Sequence, residues 1–315
     1  MFNIIQRRYW YFLVSAVIIL PGLIAMIITW TQYGTPLKLS IDFTGGSMLE
    51  LRFEQPIQPG QVRDVFVERG YSDTVVQTAG DGRTAVVRSK ELSEQVRTEI
   101  LAGVREAVGS FEVLRSETVG PSVGREVTRA ATIAVLAASA VILLFIWWAF
   151  RKVPKSFRYG VCAIIAMVHD VLVATGLFAL IGLLIGWEVD ALFLTALLTV
   201  IGFSVQDTIV VFDRIRENIP KRRGEDYETV VNRSLLETLH RSLATQLNAI
   251  FVLIAILLFG GATIKQFVTV LLVGMFSGTY SSIFNAVPLL VVWEKGEVGN
   301  FLRRVWRRGA SPAGA

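Results

Sequence analysis

Residues 191–212, "ALFLTALLTVIGFSVQDTIVVF", form an apolar run interrupted near its end by Gln206 and Asp207. About twenty such residues suffice to cross the hydrocarbon of a bilayer. A carboxylate near the bilayer centre costs about 2.5 to 3.5 kcal/mol on insertion scales, so it is rare there unless it faces a protein interior. Either this stretch does not span, or Asp207 has a task that offsets the cost. Composition favours spanning: of 315 residues, 53% are hydrophobic and only 18% charged, a balance more apolar than that of soluble domains.

Five further stretches have the length and hydropathy of spans, near 11–30, 130–150, 159–181, 242–260 and 267–292. The first exceeds a signal peptide in length and lacks a small-residue cleavage site, so it is expected to be a retained anchor. Basic residues gather at Arg7–Arg8, at Arg151, Lys152, Lys155 and Arg158, at Lys221–Arg223 and at Arg303, Arg304, Arg307 and Arg308; the short loops between them carry Glu188, Asp190 and the single cation Lys265. The positive-inside rule then predicts both termini in the cytoplasm and residues 31–128 outside it, with a cytoplasmic tail at 294–315. The basic excess thus reads as topology and not as nucleic-acid binding. The single cysteine, Cys162, allows no intrachain disulfide.

Between the first two spans, continuous hydrophobicity gives way to short alternating runs. "LKLSIDF" (37–43), "MLELRFE" (48–54), "DTVVQTA" (73–79), "TAVVRS" (84–89) and "SFEVLRSETVG" (110–120) read as strands. One helix opens at Pro59–Gly60; a second, capped by Ser93, repeats Val96, Ile100, Val104 and Val108. The order contains a split β-α-β unit, so the fold class is a polytopic α-helical membrane protein of six transmembrane helices carrying one α+β ferredoxin-like domain between helices 1 and 2. Within "DFTGGS", Asp42, Gly45 and Gly46 make a turn between strands or, less simply, a binding loop. Residues 213–241, with both charge signs and Val230, Val231, Leu235 and Leu236 at helical spacing, predict an amphipathic helix on the membrane surface.

Polar side chains recur at similar depths in several spans. Asp207 and Arg241 lie at matching depths on consecutive helices, which suggests a pair; Arg241 alternatively snorkels at an interface. His169 and Asp170 sit near the middle of the third span, as a hydrogen-bonded helix contact or as relay members. Ser277, Ser281 and Asn285 form a stripe on the sixth, and Ser204, Thr208, Gln246 and Asn248 add donors and acceptors. Asp207 is either half of a static ion pair or a titrating carboxylate, and Asp213, Arg214 and Arg216 read as solvated helix-end charges. The chain has no metal-ligand cluster, P-loop, dinucleotide fingerprint or nucleophile elbow. It is not expected to be an enzyme or to hold a cofactor. A proton gradient is the remaining source of work, at about 2.3 kcal/mol per unit charge per 100 mV.

"SIDFTGGSMLEL" (40–51), "MVHDVLVATGLFAL" (167–180), "GFSVQDTIVVFDRIREN" (202–218) and "LLETLHRSLATQL" (235–247) together resemble the SecD/SecF family of protein-export membrane proteins, on its SecF side, which is related to the RND transporters. The resemblance covers nearly the whole chain. It implies six spans with one large outer domain in the bacterial inner membrane. Implied partners are SecD and the SecYEG translocon, with YajC and YidC as further candidates, besides membrane lipid and the translocating unfolded polypeptide. By the same resemblance, Asp207 matches a proton-responsive aspartate and Arg241 an arginine that opens the fifth span. His169–Asp170 match an "HD" pair, and Gly45–Gly46 match glycines after the first outer strand. Gln206 stands where Asn is usual, Phe203 where Tyr is common and Ser40 where Gly often occurs; the longer Gln206 alters the amide geometry expected beside Asp207. Two other readings stay open, a proton-driven exporter of small amphiphiles and a non-transporting scaffold of the translocon.

Overall fold

The computed structural model describes residues 3–79, 82–151 and 155–297. They divide into two compact units: residues up to 36 with 135–181 and 192 onward, and residues 37–134 with 182–191.

The first unit is helical. Helix α1 (Arg8–Tyr33) retains Pro21 in its interior, which a spanning helix tolerates when neighbours satisfy the freed backbone. Later in the chain come α5 (Pro121–Phe150), whose residues up to 134 belong to the second unit, α6 (Ser156–Ile185), α7 (Ala191–Lys221), α8 (Tyr227–Phe259) and α9 (Ala262–Ser281). The last span continues through a π-helical turn, Ser282–Ala286, into α10 (Val287–Glu294). Among the described residues, six helical stretches are long and apolar enough to cross a membrane. Glycines set the close crossings. A Cβ on Gly22 of α1 would lie 2.6 Å from Gly176 Cα of α6, and one on Gly274 of α9 would lie 2.1 Å from the Val200 side chain of α7. Small residues at such points let helices approach where no hydrophobic drive from water exists.

The stretch 213–241 corrects the expected surface helix. Helix α7 continues to Lys221, a short turn follows, and Asp226 caps α8 by accepting from Glu228 N–H at 3.1 Å. Val231 and Leu235 are buried in one cluster with Phe212, Ile215 and Leu290, Leu236 packs against it, and Val230 is buried as well. Their apolar face therefore covers the protein's own core and not lipid. The basic flanks meet acids there: Arg8 pairs with Glu228 and Glu297, Lys295 with Glu228, and Lys155 and Arg158 with Glu294. The basic tail 303–308 and Lys152 lie outside the described residues.

The second unit holds a four-stranded antiparallel sheet: β1 (Gly46–Phe53), β2 (Val75–Ala79), β3 (Thr84–Ser89) and β4 (Phe111–Val119), ordered β2-β3-β1-β4. Helices α3 (Pro59–Glu68) and α4 (Glu94–Ala107) each connect strands that are not neighbours, the split β-α-β order. Leu49, Leu51 and Phe53 of β1 alternate inward against Val62 and Phe66 of α3 and Ile100 and Val104 of α4. A bulge opposite Glu50–Leu51 shifts the β1–β4 register. The hairpin turn at Gly80–Asp81 lies outside the described residues.

The expected strand at 37–43 does not form. The Ser40 side chain accepts from Asp42 N–H at 3.2 Å and caps a one-turn helix, α2 (Ile41–Thr44). Ser and Asp compete with strand ladders by bonding the local backbone in this way. Leu39 pairs instead with Val189 in the segment between α6 and α7.

Candidate functional site: buried carboxylates within the helical unit

Asp170 and Asp207 are both buried, 0% and 7% exposed. Asp170, on α6, accepts hydrogen bonds from three serine hydroxyls: Ser204 of α7 at 2.5 Å, and Ser277 and Ser281 of α9 at 2.6 Å each. His169 Nδ1 lies 3.0 Å from its Oδ1, and the imidazole stacks on Tyr280 with centroids 6.1 Å apart. This one carboxylate binds three helices together, because an acid buried in hydrocarbon needs donors and each serine needs an acceptor.

Asp207 is held less tightly. It lies three residues beyond Ser204 on α7, hence on the same face one turn away. Gln246 Nε2 donates to its Oδ2 at 3.3 Å, with the Ser242 and Ser282 hydroxyls beside it. Thr208 turns its hydroxyl back to Ser204 O at 3.1 Å. Three polar atoms here are buried without a protein hydrogen-bond partner among the described residues: His169 Nε2, Ser242 Oγ and Gln246 Oε1. Asn285 is satisfied elsewhere, accepting from Ser15 of α1 at 2.9 Å. The π turn that begins at Ser282 lets the sixth span present serines to Asp170 and Asn285 to α1; π-helical turns are frequent at functional sites.

The geometry corrects the expected pairing of Asp207 with Arg241. Arg241 is exposed and makes no ion pair among the described residues. On α8 the buried polar face runs through Thr238, Ser242 and Gln246 at four-residue spacing. Arg241 stands one residue, or about 100°, away from that face. Gln206 is likewise exposed, one step around α7 from Asp207, so it does not shape the carboxylate's surroundings. Asn248 is also exposed. Ser242 and Ser282 went unnoticed in the sequence; Ser242 could have been found from its four-residue spacing to Gln246. Asp213, Arg214 and Arg216 sit in partly exposed ion pairs, as solvated charges would.

In the sheet unit, Asp42 Oδ2 accepts from Ala191 N–H at 3.0 Å. Gly45 and Gly46 have φ of +72° and +121°, and a Cβ on Gly46 would lie 2.6 Å from Ser89 O. A Cβ on Gly45 would lie 2.9 Å from Pro121 Cα, where α5 starts. This motif is a joint that only glycine can occupy without strain. Among the described residues no group of histidine, cysteine and carboxylate side chains could hold a metal ion.

Residues 99–296 match the family described as "Protein export membrane protein SecD/SecF, C-terminal", and residues 33–57 match the "SecD/SecF GG Motif". The chain belongs to the SecD/SecF family. The "Protein translocase subunit SecF" of Anaerolinea thermophila is 49% identical, with all of both chains covered. The protein of the same name from Thermobaculum terrenum is 47% identical over 96% of this chain and 98% of its own. Among solved structures, SecDF of Thermus thermophilus, described as a translocon-associated membrane protein, superposes with a TM-score of 0.78 at 34% identity over 93% of this chain. The chain spans 39% of the length of that SecDF protein. Membership and the six apolar helices make this SecD/SecF family member a multi-pass membrane protein. The GG-motif match takes in the Gly45–Gly46 joint, and the C-terminal match takes in Asp170, Asp207 and Arg241.

Proposed function

We propose that this chain is the SecF-type subunit of a bacterial inner-membrane machine that promotes late protein translocation, drawing on the proton-motive force. Its near relatives are named translocase subunits, and the SecDF protein of which it covers 39% leaves room for a SecD-type partner in the remainder. The observation that carries the reading is two carboxylates, Asp170 and Asp207, buried on helices of membrane-spanning length and one helical turn apart through Ser204. Buried acids in a membrane are costly and mark proton or ion pathways.

Asp170 is committed to fixed hydroxyl donors and holds α6, α7 and α9 in register. Asp207, with one long bond and neighbouring atoms that lack protein partners, is the group that takes up and releases a proton. Water reaching Ser242, Gln246 and His169 carries that proton. Loss of its charge weakens the hold on Gln246 and shifts α8 against α7. The protein is bistable in this sense: two packings, biased by one proton. The sheet unit lies outside the cytoplasm, both termini lie within it, and the domain holds and releases unfolded polypeptide emerging from a SecYEG-type channel. No cofactor and no bond-making chemistry are involved.

The test is Asp207→Asn in vesicles carrying the chain with its SecD-type partner. The variant is expected to insert and fold normally while gradient-driven export and proton flux fall to the level without the complex. Native proton flux in that variant would end this reading.

A further inference from the structure

The segment joining α6 to α7 is fastened by three kinds of contact. Gly186, at φ +79°, turns the chain out of α6. Val189 N–H donates to Lys38 O at 2.7 Å, and Ser40 N–H donates to Val189 O at 2.9 Å, a parallel bridge onto the strand-like stretch after α1. Two residues later the Asp42 carboxylate caps Ala191, the first residue of α7, and Ser40 in turn fixes Asp42 by capping α2. Between these, the buried Glu188 meets Lys38 Nζ at 3.5 Å and the guanidinium of Arg88 on β3. Lys38 Nζ also donates to Gln77 of β2 at 3.4 Å. All these residues belong to the sheet unit.

The contacts are of different kinds and act on the same few residues. Main-chain bonds fix the path, the carboxylate satisfies one of the unpaired N–H groups at the start of a helix, and the ion cluster is desolvated. Burial pushes the Glu188 carboxyl up, against the pull of Arg88 and Lys38, and pushes the Lys38 ammonium down. Removing one partner would strand a buried charge. The helices leaving this joint carry the two buried acids. Asp207 lies 16 residues into α7, about 24 Å along an unbroken helix, and Asp170 lies 15 residues before the end of α6, about 22 Å.

We propose that the α6–α7 joint is a permanently closed latch within the sheet unit, with Glu188 and Asp42 as positioning residues that fix where α7 begins, and that proton-driven export requires it closed. This rests on the proton-driven reading above. A loop that merely connects would not need a buried ion cluster, a foreign cap and a main-chain bridge within six residues.

Two variants of the full chain, each with its SecD-type partner in vesicles, test it beside Asp207→Asn as reference. In Asp42→Ala/Glu188→Ala, hydrogen exchange in the first turns of α7 should rise about 5- to 30-fold, the effect of losing one or two kcal/mol of local stability. Proton-driven export should fall to the Asp207→Asn level. Native export in this variant, with Asp207→Asn inactive, overturns the latch and leaves the motor standing. Native export in both variants overturns the two together. In Leu39→Cys/Val189→Cys, oxidation welds the bridge shut, and export should match the reduced protein. A block on oxidation that reductant relieves shows that the joint must open, which also overturns the latch. This second variant decides the matter if the first does not accumulate in the membrane.

Discussion

Asp170 receives three hydroxyl donors from two neighbouring helices, so its substitution tests the packing role assigned to it. Asp170→Ala leaves Ser204, Ser277 and Ser281 without their acceptor in a water-poor interior, at about 1 to 3 kcal/mol for each group left unsatisfied. Asp170→Asn keeps one acceptor oxygen and should lose less. Thermal unfolding in detergent should rank native above Asp170→Asn above Asp170→Ala; equal melting of the three would remove the packing role. The membership of this cluster was legible before the fold, because a polar residue in an apolar run stands out and depth along a helix follows from counting. Its pairings were not. Counting gives height, and which way a side chain points turns by about 100° per residue. That angle separates Arg241 from Ser242 and Gln206 from Asp207, and it moved the partner of Asp207 from a cation to an amide.

Among the elements, α1 and α6 cross at Gly22 and Gly176, whose backbones would be in the way of any added carbon. Gly176→Val should separate the two helices and destabilise the helical unit by about 1 to 3 kcal/mol, as overpacking does. Reduced accumulation in the membrane and a lower melting temperature would register it, whereas native stability would mean that the crossing yields easily. Within the sheet unit, alternation and turn residues located all four strands and both long helices, since each has one wet face and one dry face. The two misreadings share a cause. Residues 37–43 alternate like a strand, yet Ser40 and Asp42 bind the local backbone and a distant helix end. Residues 213–241 are amphipathic like a surface helix, yet their apolar side meets Phe212 and Leu290. Periodicity reports that a face is buried but not what covers it.

At the scale of the molecule, the sheet unit draws together residues 37–134 and the distant 182–191, an association that no local pattern announces. Its buried ion cluster gives a pH signature. The folded state raises the Glu188 carboxyl above its ordinary 4.5 by desolvation, so folding favours the protonated form. The stability owed to this shift is complete below 4.5 and declines as pH rises through the raised value. Hydrogen exchange of the Val189 and Ser40 amides, corrected for intrinsic rate, should show that decline in the native chain and lose it in Glu188→Gln; an unchanged slope in the variant would assign it to another group. Cys162, the only cysteine, is 0% exposed within the helical unit. The folded protein thus presents thiol reagents with a silent background, and a single engineered sulfhydryl at any wet position becomes an address that dyes, spin probes or crosslinkers can find without first deleting a native one.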